Sequence, residues 1–310
     1  MKKTYLVTGA AGFIGGVLAR KLVDQGHTVW TIDNLSTGFK ENVPDGVHLI
    51  QGGCQEPESI AQLEGKAFDA ILHFAGQSSG EISFDDPVYD LRTNTESTLR
   101  LIKYGLENGC PRFIYSSSMS VYGDVPNEPI AEDWTPQPLS FYGIGKLASE
   151  HYLRIYQSKG LQATSLRLFN VYGEGQNMSN LRQGMVSIFL AQLLKEDKII
   201  VKGSNNRFRD FIEVNDVVDI TIKMIDEPRS YGKIYNVGTG KRNTVADLLN
   251  IMVRESGLDK EIVYAGVTLG DQKGIYADIS LIQKEFDFKP QFSLDQGLKN
   301  MIEWAKKTKW

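Results

Sequence analysis

Three side chains in this sequence have the types and spacing needed for proton transfer at an alcohol. Tyr142 and Lys146 stand four residues apart in YGIGK, so on a helix they project from one face. A tyrosine with a pKa of about 10 is a poor base at neutral pH, but an adjacent ammonium favours its phenolate. Ser118 ends a predicted strand and can hydrogen-bond the same reacting oxygen. The trio predicts a general acid/base at a carbinol.

A glycine-rich turn supplies the context for this trio, because a Tyr/Lys pair alone is more typical of a solvated helix face. A predicted strand at 5–8 leads into GAAGFIG at 9–15 and then into a helix, an arrangement that binds a dinucleotide pyrophosphate. Gly9 suits the turn out of the strand, Gly12 the approach of the anion, and Gly15 close helix packing. The competing interpretation is a tight turn without a ligand.

A carboxylate follows the second predicted strand. Asp33, in DNLSTG at 33–38, stands where it can accept hydrogen bonds from both ribose hydroxyls of an adenosine. A 2′-phosphate would be repelled there, and no arginine follows directly to bind one. The sequence therefore favours NAD over NADP, although Asp33 taken alone would be read as a turn residue.

The elements that must position these residues alternate between strand and helix. Strands are predicted at 5–8, 29–32, 47–51, 70–74, 113–116 and 164–168, with further strands at 198–201 and 211–214. Helices are predicted at 13–24, 56–63, 93–107, 142–157 and 184–195. The proline-rich segment 126–137 predicts a long loop. The alternation predicts an α/β, Rossmann-type doubly wound parallel sheet.

The pattern loosens after residue 169, which predicts a division of the chain. Residues 1–169 are assigned to the dinucleotide-binding domain, with a return of the chain to it at about 209–233. Residues 170–208 and 234–310 are assigned to a smaller C-terminal α+β substrate lobe.

Composition excludes several classes of function. A net charge of −4 leaves no general basic field for nucleic acid or anionic lipid. The start of the chain resembles a signal peptide, but cleavage there would remove a predicted strand and the glycine turn, so this interpretation is not favoured. No apolar run is long enough to predict a membrane span. Cys54 and Cys110 make no disulfide framework and indicate a reducing, cytoplasmic location. The histidines lack metal-ligand spacing, so no metal site is predicted.

Together these motifs resemble the extended short-chain dehydrogenase/reductase superfamily, and within it the NAD-dependent nucleotide-sugar epimerase/dehydratase branch. The resemblance covers almost the whole chain. Its landmarks are GAAGFIG at 9–15, DNLSTG at 33–38, HFAG at 73–76, Asn94, SSSMSVYG at 116–123, YGIGK at 142–146, RLFNVYG at 167–173, RDFIEVNDV at 209–217, YNVGTG at 235–240 and GDQKGIYADIS at 270–280.

The resemblance implies a full set of site residues. Ser118, Tyr142 and Lys146 would be catalytic, with Lys146 also holding the nicotinamide ribose. The residues implied in NAD binding are Gly9, Gly12, Phe13, Ile14, Gly15, Asp33, Asn34, Ser36, Thr37, Gly38, Phe74, Ala75, Gly76, Asn94, Tyr142 and Lys146. The residues implied in substrate binding are Ser78, Ser79, Glu81, Ser118, Asn170, Arg209 and Asp271.

Some of these assignments have competing interpretations. The resemblance places Asn170 and Arg209 at the substrate diphosphate; the competing interpretation of Arg209 is a structural ion pair with Asp210 or Asp216. The segment 78–81 can be a plain loop.

The sequence departs from the family pattern at two places. Gly53 stands where the family often has an aspartate that reaches the adenine, and Thr268 stands where a second diphosphate-binding arginine is usual. Lys273 and Arg182 are the candidates that could compensate for Thr268.

One local difference bears on the reaction. Related dehydratases carry Asp-Glu directly after the catalytic hydroxyl residue, whereas this chain has Met119 and Ser120. The prediction is therefore 4-epimerisation of a nucleotide-diphosphate hexose through transient oxidation by NAD. Dehydration stays open because Glu81 could supply a carboxylate. Reduction of a 4-ketosugar and a non-enzymatic role as an NAD-binding sensor or scaffold stay open as well.

The family analogy also bears on assembly. It implies a homodimer built on helices 93–107 and 142–157, which would form a four-helix contact between two copies.

Overall fold

The computed structural model describes residues 1–266, 273–308 and 310. The strands are β1 (Thr4–Thr8), β2 (Thr28–Asp33), β3 (Val47–Gln51), β4 (Ala70–His73), β5 (Arg112–Ser118), β6 (Gln162–Leu168), β7 (Asn170–Tyr172), β8 (Lys198–Val201), β9 (Phe208–Arg209), β10 (Phe211–Glu213), β11 (Lys233–Val237), β12 (Asn243–Thr244) and β13 (Glu261–Tyr264). The helices are α1 (Phe13–Asp24), α2 (Pro57–Ala61), α3 (Pro87–Leu91), α4 (Ser97–Glu107), α5 (Phe141–Tyr156), α6 (Met185–Lys195), α7 (Val214–Ile225), α8 (Val245–Ser256), α9 (Ser280–Phe286) and α10 (Leu294–Lys307).

The largest sheet of the described chain has seven strands in the order β3-β2-β1-β4-β5-β6-β11, and every neighbouring pair in it is parallel. Strands β4 and β5 are buried along their whole length, as expected where helices cover both faces of a parallel sheet. The chain reverses direction across the sheet beside β1, where open α/β folds bind their ligands. The predicted Rossmann-type fold is confirmed.

Two apolar layers enclose this sheet. On one face, Leu18 and Leu22 of α1 pack with Val217 of α7 and the strand side chains that point toward them. On the other face, Leu101 of α4 and Leu153 of α5 pack against the alternate strand positions. The alternation of side chains along each strand thus divides the core into two layers.

A third apolar cluster lies away from the sheet and is built on α6, α8 and α10, with Tyr172 and Phe211 contributing from β7 and β10. Two-stranded pairings accompany it, among them β7 with β10 and β8 with β13. Ile275 and Phe286 pack instead with the sheet, although the sequence analysis places residues 234–310 in the second lobe. Strand β11 likewise belongs to the large sheet.

The boundaries of the elements follow their capping residues. Helix α1 has the predicted bounds, and α5 begins one residue earlier than predicted because the Ser140 hydroxyl accepts from the Gly143 amide and caps it. The helix predicted at 93–107 is observed as α4, preceded by a π-helical turn over Arg92–Glu96 and by α3, which Asp86 caps. In the described part of the chain no helix is long and apolar enough to cross a bilayer.

Candidate active site

A cavity of about 670 Å³ opens at the carboxyl edge of the large sheet. It is lined by every residue predicted to bind the cofactor except Asn94. The predicted substrate residues that line it are Ser78, Ser79, Glu81, Ser118 and Asn170. One cavity therefore contains the glycine turn, the proposed proton-transfer residues and part of the predicted substrate site.

Backbone fits tightly against backbone in the glycine turn. Gly9 has a φ of +81°, and a Cβ there would stand 2.9 Å from the amide nitrogen of Ala75. A Cβ on Gly15 would collide with the carbonyl oxygen of Gly9, while one on Gly12 would lie 3.2 Å from that same oxygen. The turn therefore keeps main-chain atoms open to the cavity at the start of α1, as a pyrophosphate requires.

Asp33 joins the glycine turn to the loop after β2. Its Oδ2 accepts a hydrogen bond from the Ala11 amide at 2.9 Å, and its Oδ1 accepts one from the Leu35 amide at 2.9 Å. The residue is 9% exposed and lines the cavity. Because each carboxylate oxygen retains a further lone pair, the group fits the hydroxyls of an adenosine ribose.

The proposed proton-transfer residues meet where β5 ends against α5. Ser118 is the last residue of β5, and Tyr142 and Lys146 lie one helical turn apart on α5. The Lys146 Nζ donates to the Ser116 carbonyl at 2.8 Å and lies 5.7 Å from the centroid of the Tyr142 ring. All three side chains are at least nine-tenths buried.

Burial has the largest effect on the pKa values of Tyr142 and Lys146. It raises the pKa of Tyr142 to about 12, an effect that the Ser118 hydroxyl opposes and the Asp90 charge increases. It lowers the pKa of Lys146 to about 8, while Asp90 and Glu150 act in the opposite direction. The sequence-based argument for the phenolate considers charge alone, whereas in the folded protein desolvation favours the protonated phenol.

A buried polar chain fixes the loop that follows β4. The Thr8 Oγ1 accepts from the Phe74 and Ala75 amides at 3.1 Å and lies 2.8 Å from His73 Nδ1. Thr8 therefore donates its proton to Nδ1, and His73 donates from Nε2 to Ser97 Oγ at 3.3 Å. Burial lowers the pKa of His73 to about 3, so the ring is neutral.

The opposite end of the cavity is built from side chains on separate loops. Lys202 Nζ lies 3.1 Å from Glu81 Oε1, and Arg182 Nη2 lies 2.7 Å from Asp85 Oδ2. These side chains are between about a quarter and three-fifths exposed. Lys202, Arg182 and Arg207 all line the cavity, which gives this end of it, the predicted substrate end, three cationic side chains.

The segment 174–184 runs across both ends of the cavity. The Asn177 side-chain amide donates to the Thr37 carbonyl at 2.9 Å, beside the cofactor loop. At the other end, the Ser79 hydroxyl donates to the Arg182 carbonyl at 3.1 Å, and the Gln183 amide bonds the Ser78 hydroxyl. The segment thus ties the predicted cofactor-binding and sugar-binding loops to one another.

Two predicted residues lie outside the lining of the cavity. Asn94 stands behind the loop after β4, where its Nδ2 donates to the Gln77 carbonyl at 2.9 Å. Gly76, with a φ of +150°, leaves room for Asn94, because a Cβ there would lie 2.5 Å from Asn94 Oδ1. Arg209 is 2% exposed, and its Nη1 donates to the Phe208 carbonyl at 2.7 Å. Its role at the diphosphate stays a prediction.

Asp210 and Asp216, the predicted alternative partners of Arg209, both accept hydrogen bonds from backbone amides. Asp210 accepts from backbone amides at 239, 240 and 277, and Asp216 from those at 291 and 292. Asp271 and Thr268 lie outside the described residues. Lys273 is exposed. At Gly53 the side-chain amide of Gln55 occupies the space that a side chain would take.

The sequence analysis missed several polar groups beside the trio. Glu150 is buried and accepts from Arg167 Nη2 at 2.8 Å and from the Ser117 hydroxyl at 2.5 Å. Its spacing from Lys146, four residues along α5, is a signal that could have found it. Asp90 and Gln77 carry no comparable signal, because they come from separate elements that meet only in the fold.

Comparison with known proteins places the chain among characterised relatives. The profile of the NAD dependent epimerase/dehydratase family matches residues 5–238. A UDP-glucose 4-epimerase of Mycolicibacterium smegmatis is 32% identical over 306 residues, covering 96% of this chain and 97% of that protein.

Solved structures agree with this match. The UDP-glucose 4-epimerase of Thermotoga maritima with UDP-glucose has a TM-score of 0.94 and 32% identity, covering 98% of this chain and 99% of that one. The UDP-glucose 4-epimerase of Thermus thermophilus in complex with NAD has a TM-score of 0.91 and 31% identity, with coverage of 98% and 99%.

Proposed function

The chain belongs to the NAD-dependent epimerase/dehydratase family, and from this membership we propose that it is a UDP-sugar 4-epimerase. The observation that carries the proposal is the convergence of Ser118, Tyr142 and Lys146 in one cavity with the glycine turn. An oxidation that is later reversed needs an acid/base group and a dinucleotide side by side, and this cavity supports both.

The residues present fit NAD as the cofactor. The glycine turn supports the pyrophosphate and Asp33 the adenosine ribose, while Lys146 and the loop 74–76 support the nicotinamide end. When bound, NAD supplies the temporary oxidation and the re-reduction of C4 of the sugar.

The chain's own residues handle the proton. With its phenolate stabilised by Lys146 and by the positive charge that NAD brings when bound, Tyr142 accepts the proton of the C4 hydroxyl during oxidation and returns it during reduction, so no proton is consumed overall. Ser118, at the end of β5, donates to the same oxygen and holds it in line. Lys146 provides the neighbouring positive charge, and its bond to the Ser116 carbonyl fixes its position.

The substrate end supports a diphosphate-linked sugar. Lys202, Arg207 and Arg182 line the cavity where their positive charges can bind the diphosphate, alongside the predicted Asn170. Glu81 is held by Lys202, and Met119 and Ser120 line the cavity where a dehydratase needs carboxyl groups. These features favour epimerisation over loss of water.

Proton NMR with UDP-glucose or UDP-galactose in heavy water, without added cofactor, tests the proposal. We expect the two sugars to interconvert, and Tyr142→Phe to lower the rate about 1,000-fold because it removes the acid/base group. Tyr152→Phe is the matched control: it lies on the same helix outside the cavity and should keep the activity.

Several outcomes would contradict the proposal. A deuterated 6-deoxy-4-keto product would identify a dehydratase. Failure to convert either sugar, together with oxidation of added NADH by a UDP-4-ketosugar, would identify a reductase. Absence of any turnover in both the wild type and Tyr142→Phe would return the protein to the class of NAD-binding sensors, and full activity in Tyr142→Phe would rule out Tyr142 as the acid/base group.

We also propose that the protein is a homodimer formed through α4 and α5. On α5, Ile144 and Ile155 are each 52% exposed and lie three turns apart on one face. Exposed apolar side chains at this spacing suit a helix–helix contact between two copies. The mass in solution, by sedimentation equilibrium, tests this proposal, and a monomer would contradict it.

A further inference from the structure

The proposed mechanism assigns no role to Asp90, a buried carboxylate next to the trio. Asp90 on α3 is 1% exposed, although carboxylates are rarely buried without a specific partner. Its Oδ1 accepts from Gln77 Nε2 at 2.7 Å and from Asn94 Nδ2 at 3.2 Å. Both donors are neutral amides, so these bonds hold the carboxylate in place without cancelling a charge.

Asp90 approaches the helix that carries Tyr142 and Lys146. A Cβ on Gly145 would lie 3.5 Å from Asp90 Oδ2, and Gly145 directly precedes Lys146 on α5. Helices α3 and α5 pack against each other here. That distance is ordinary van der Waals contact, so the carboxylate lies directly beside the catalytic helix.

On its other side, Asp90 holds part of the cavity wall. The Gln77 Nε2 that donates to Asp90 also donates to the Ser79 carbonyl at 2.8 Å, and Gln77 Oε1 accepts from the Ser79 amide. Gln77 and Ser79 both line the cavity. The orientation of this wall therefore depends on the bond between Gln77 and Asp90.

We propose that Asp90 is a positioning residue for the epimerisation reaction: it fixes Gln77 in the wall of the sugar pocket and presents a negative charge to Lys146. The inference rests on the proposed function for its catalytic meaning, whereas its effect on Lys146 can be measured without turnover.

The surroundings of Lys146 support this assignment. The groups that face it are Asp90 from α3, Glu150 and Tyr142 from α5, neutral His73 from β4 and the Tyr115 ring from β5. Of these, Asp90 has the largest effect in raising the pKa of Lys146 against its burial, followed by Glu150. Loss of the charge at residue 90 should therefore let Lys146 lose its proton at a lower pH.

The test compares Asp90→Asn with the wild type in two measurements. The first is a pH titration of the Lys146 resonance in protein labelled with carbon-13 lysine, assigned through Lys146→Arg. We expect the midpoint to fall by about one pH unit. The second is the pH profile of kcat. Its alkaline limb should shift to lower pH by the same amount, so that kcat at a pH on that limb falls about 10-fold.

Two further variants separate positioning from general damage. Asp90→Glu keeps the charge but moves the carboxylate, so the lysine midpoint should return toward wild type while KM for the sugar nucleotide rises several-fold. Asp86→Asn is the matched control, because Asp86 is exposed on the same helix and caps it through the Tyr89 amide at 2.9 Å. It should leave the lysine midpoint and the kcat profile unchanged.

An unchanged lysine midpoint in Asp90→Asn would overturn the inference. So would an equal shift in Asp86→Asn, since the effect would then come from loosening of α3. If Asp90→Asn does not fold, the midpoint and KM of Asp90→Glu decide the matter. If no sugar nucleotide is converted, the proposed function fails, while the lysine titration still decides the role of Asp90.

Discussion

The two ends of the cavity are built in different ways. The cofactor end consists largely of main chain, with Gly9 and Gly15 in contact with neighbouring backbone and Asp33 bonded to two amides. The substrate end consists of side chains from separate loops, such as the ion pair of Lys202 with Glu81. Where backbone packs against backbone, a substitution that adds even one methyl group causes a collision. Where the site consists of long side chains, single residues can be substituted without disturbing the backbone.

The energetics of the two ends differ accordingly. Behind the cofactor loop, Thr8, His73 and Ser97 are buried and bonded to one another, so removing one leaves another unsatisfied. The ion pairs at the substrate end are partly exposed and contribute little to folding. We therefore expect substitutions at the cofactor end to affect stability, and those at the substrate end to affect substrate binding.

The largest expected effect comes from adding one methyl group to the glycine turn. Gly15→Ala should lower the free energy of unfolding by about 3 kcal/mol and abolish retention of NAD, because its Cβ collides with the Gly9 carbonyl. Gly80→Ala, in the same cavity, meets only Ser140 at 3.4 Å and should preserve both properties. Urea unfolding and the NAD released from purified protein measure the difference. Equal tolerance of the two substitutions would break the comparison.

An intermediate effect is expected from acid. In the folded protein the pKa of His73 is lowered to about 3 from 6.5. Below pH 6.5 the unfolded chain therefore binds a proton at His73 that the folded chain does not bind. Because of this difference, the free energy of unfolding falls as the pH drops below 6.5. Between pH 6.5 and 5 the loss should be about 1.5 kcal/mol. His73→Asn should remove this part of the slope, while His48→Asn, at an exposed position, should retain it. Urea unfolding across this range gives the slope, and identical slopes for the three proteins would refute the expectation.

The smallest effect is expected at the substrate end. Glu81→Gln breaks the partly exposed pair with Lys202 and should change the free energy of unfolding by less than about 0.5 kcal/mol. Because Lys202 is then free to bind phosphate, KM for the sugar nucleotide should fall about twofold at low salt and less at high salt. Glu107→Gln, which breaks an exposed pair with Lys103, should leave KM unchanged. A stability loss of several kcal/mol in Glu81→Gln would show that this end is also rigidly built.

The same contrast explains what the sequence could predict. The glycine turn, Asp33 and helix α1 carry their signals within a few consecutive residues; α1 has its predicted bounds, and residues of the turn and Asp33 line the cavity. The trio was recognisable because Tyr142 and Lys146 share one helix face. Local spacing determines these features, so no tertiary information was needed.

Other features depend on contacts that no local pattern encodes. Asp90 meets Gln77 only after α3 packs beside the loop that follows β4. The protonation of Tyr142 depends on burial by the whole fold, which the sequence-based argument from neighbouring charges does not include. Lys202 and Arg207 reach the cavity from a part of the chain where neither residue belongs to a motif.

The path of the chain through the sheet bears on how such a protein can evolve. After β6 ends at Leu168, the chain builds α6 and β8 before β11 adds the last strand beside β6. The large sheet is therefore encoded by two separate stretches of gene, with part of the other cluster between them. A single crossover within the intervening stretch would pair β6 of one parent with β11 of another. Exchange of the second cluster between related genes would therefore disturb the packing of the large sheet. We expect substrate specificity to diverge mainly through point substitutions in the loops around the cavity.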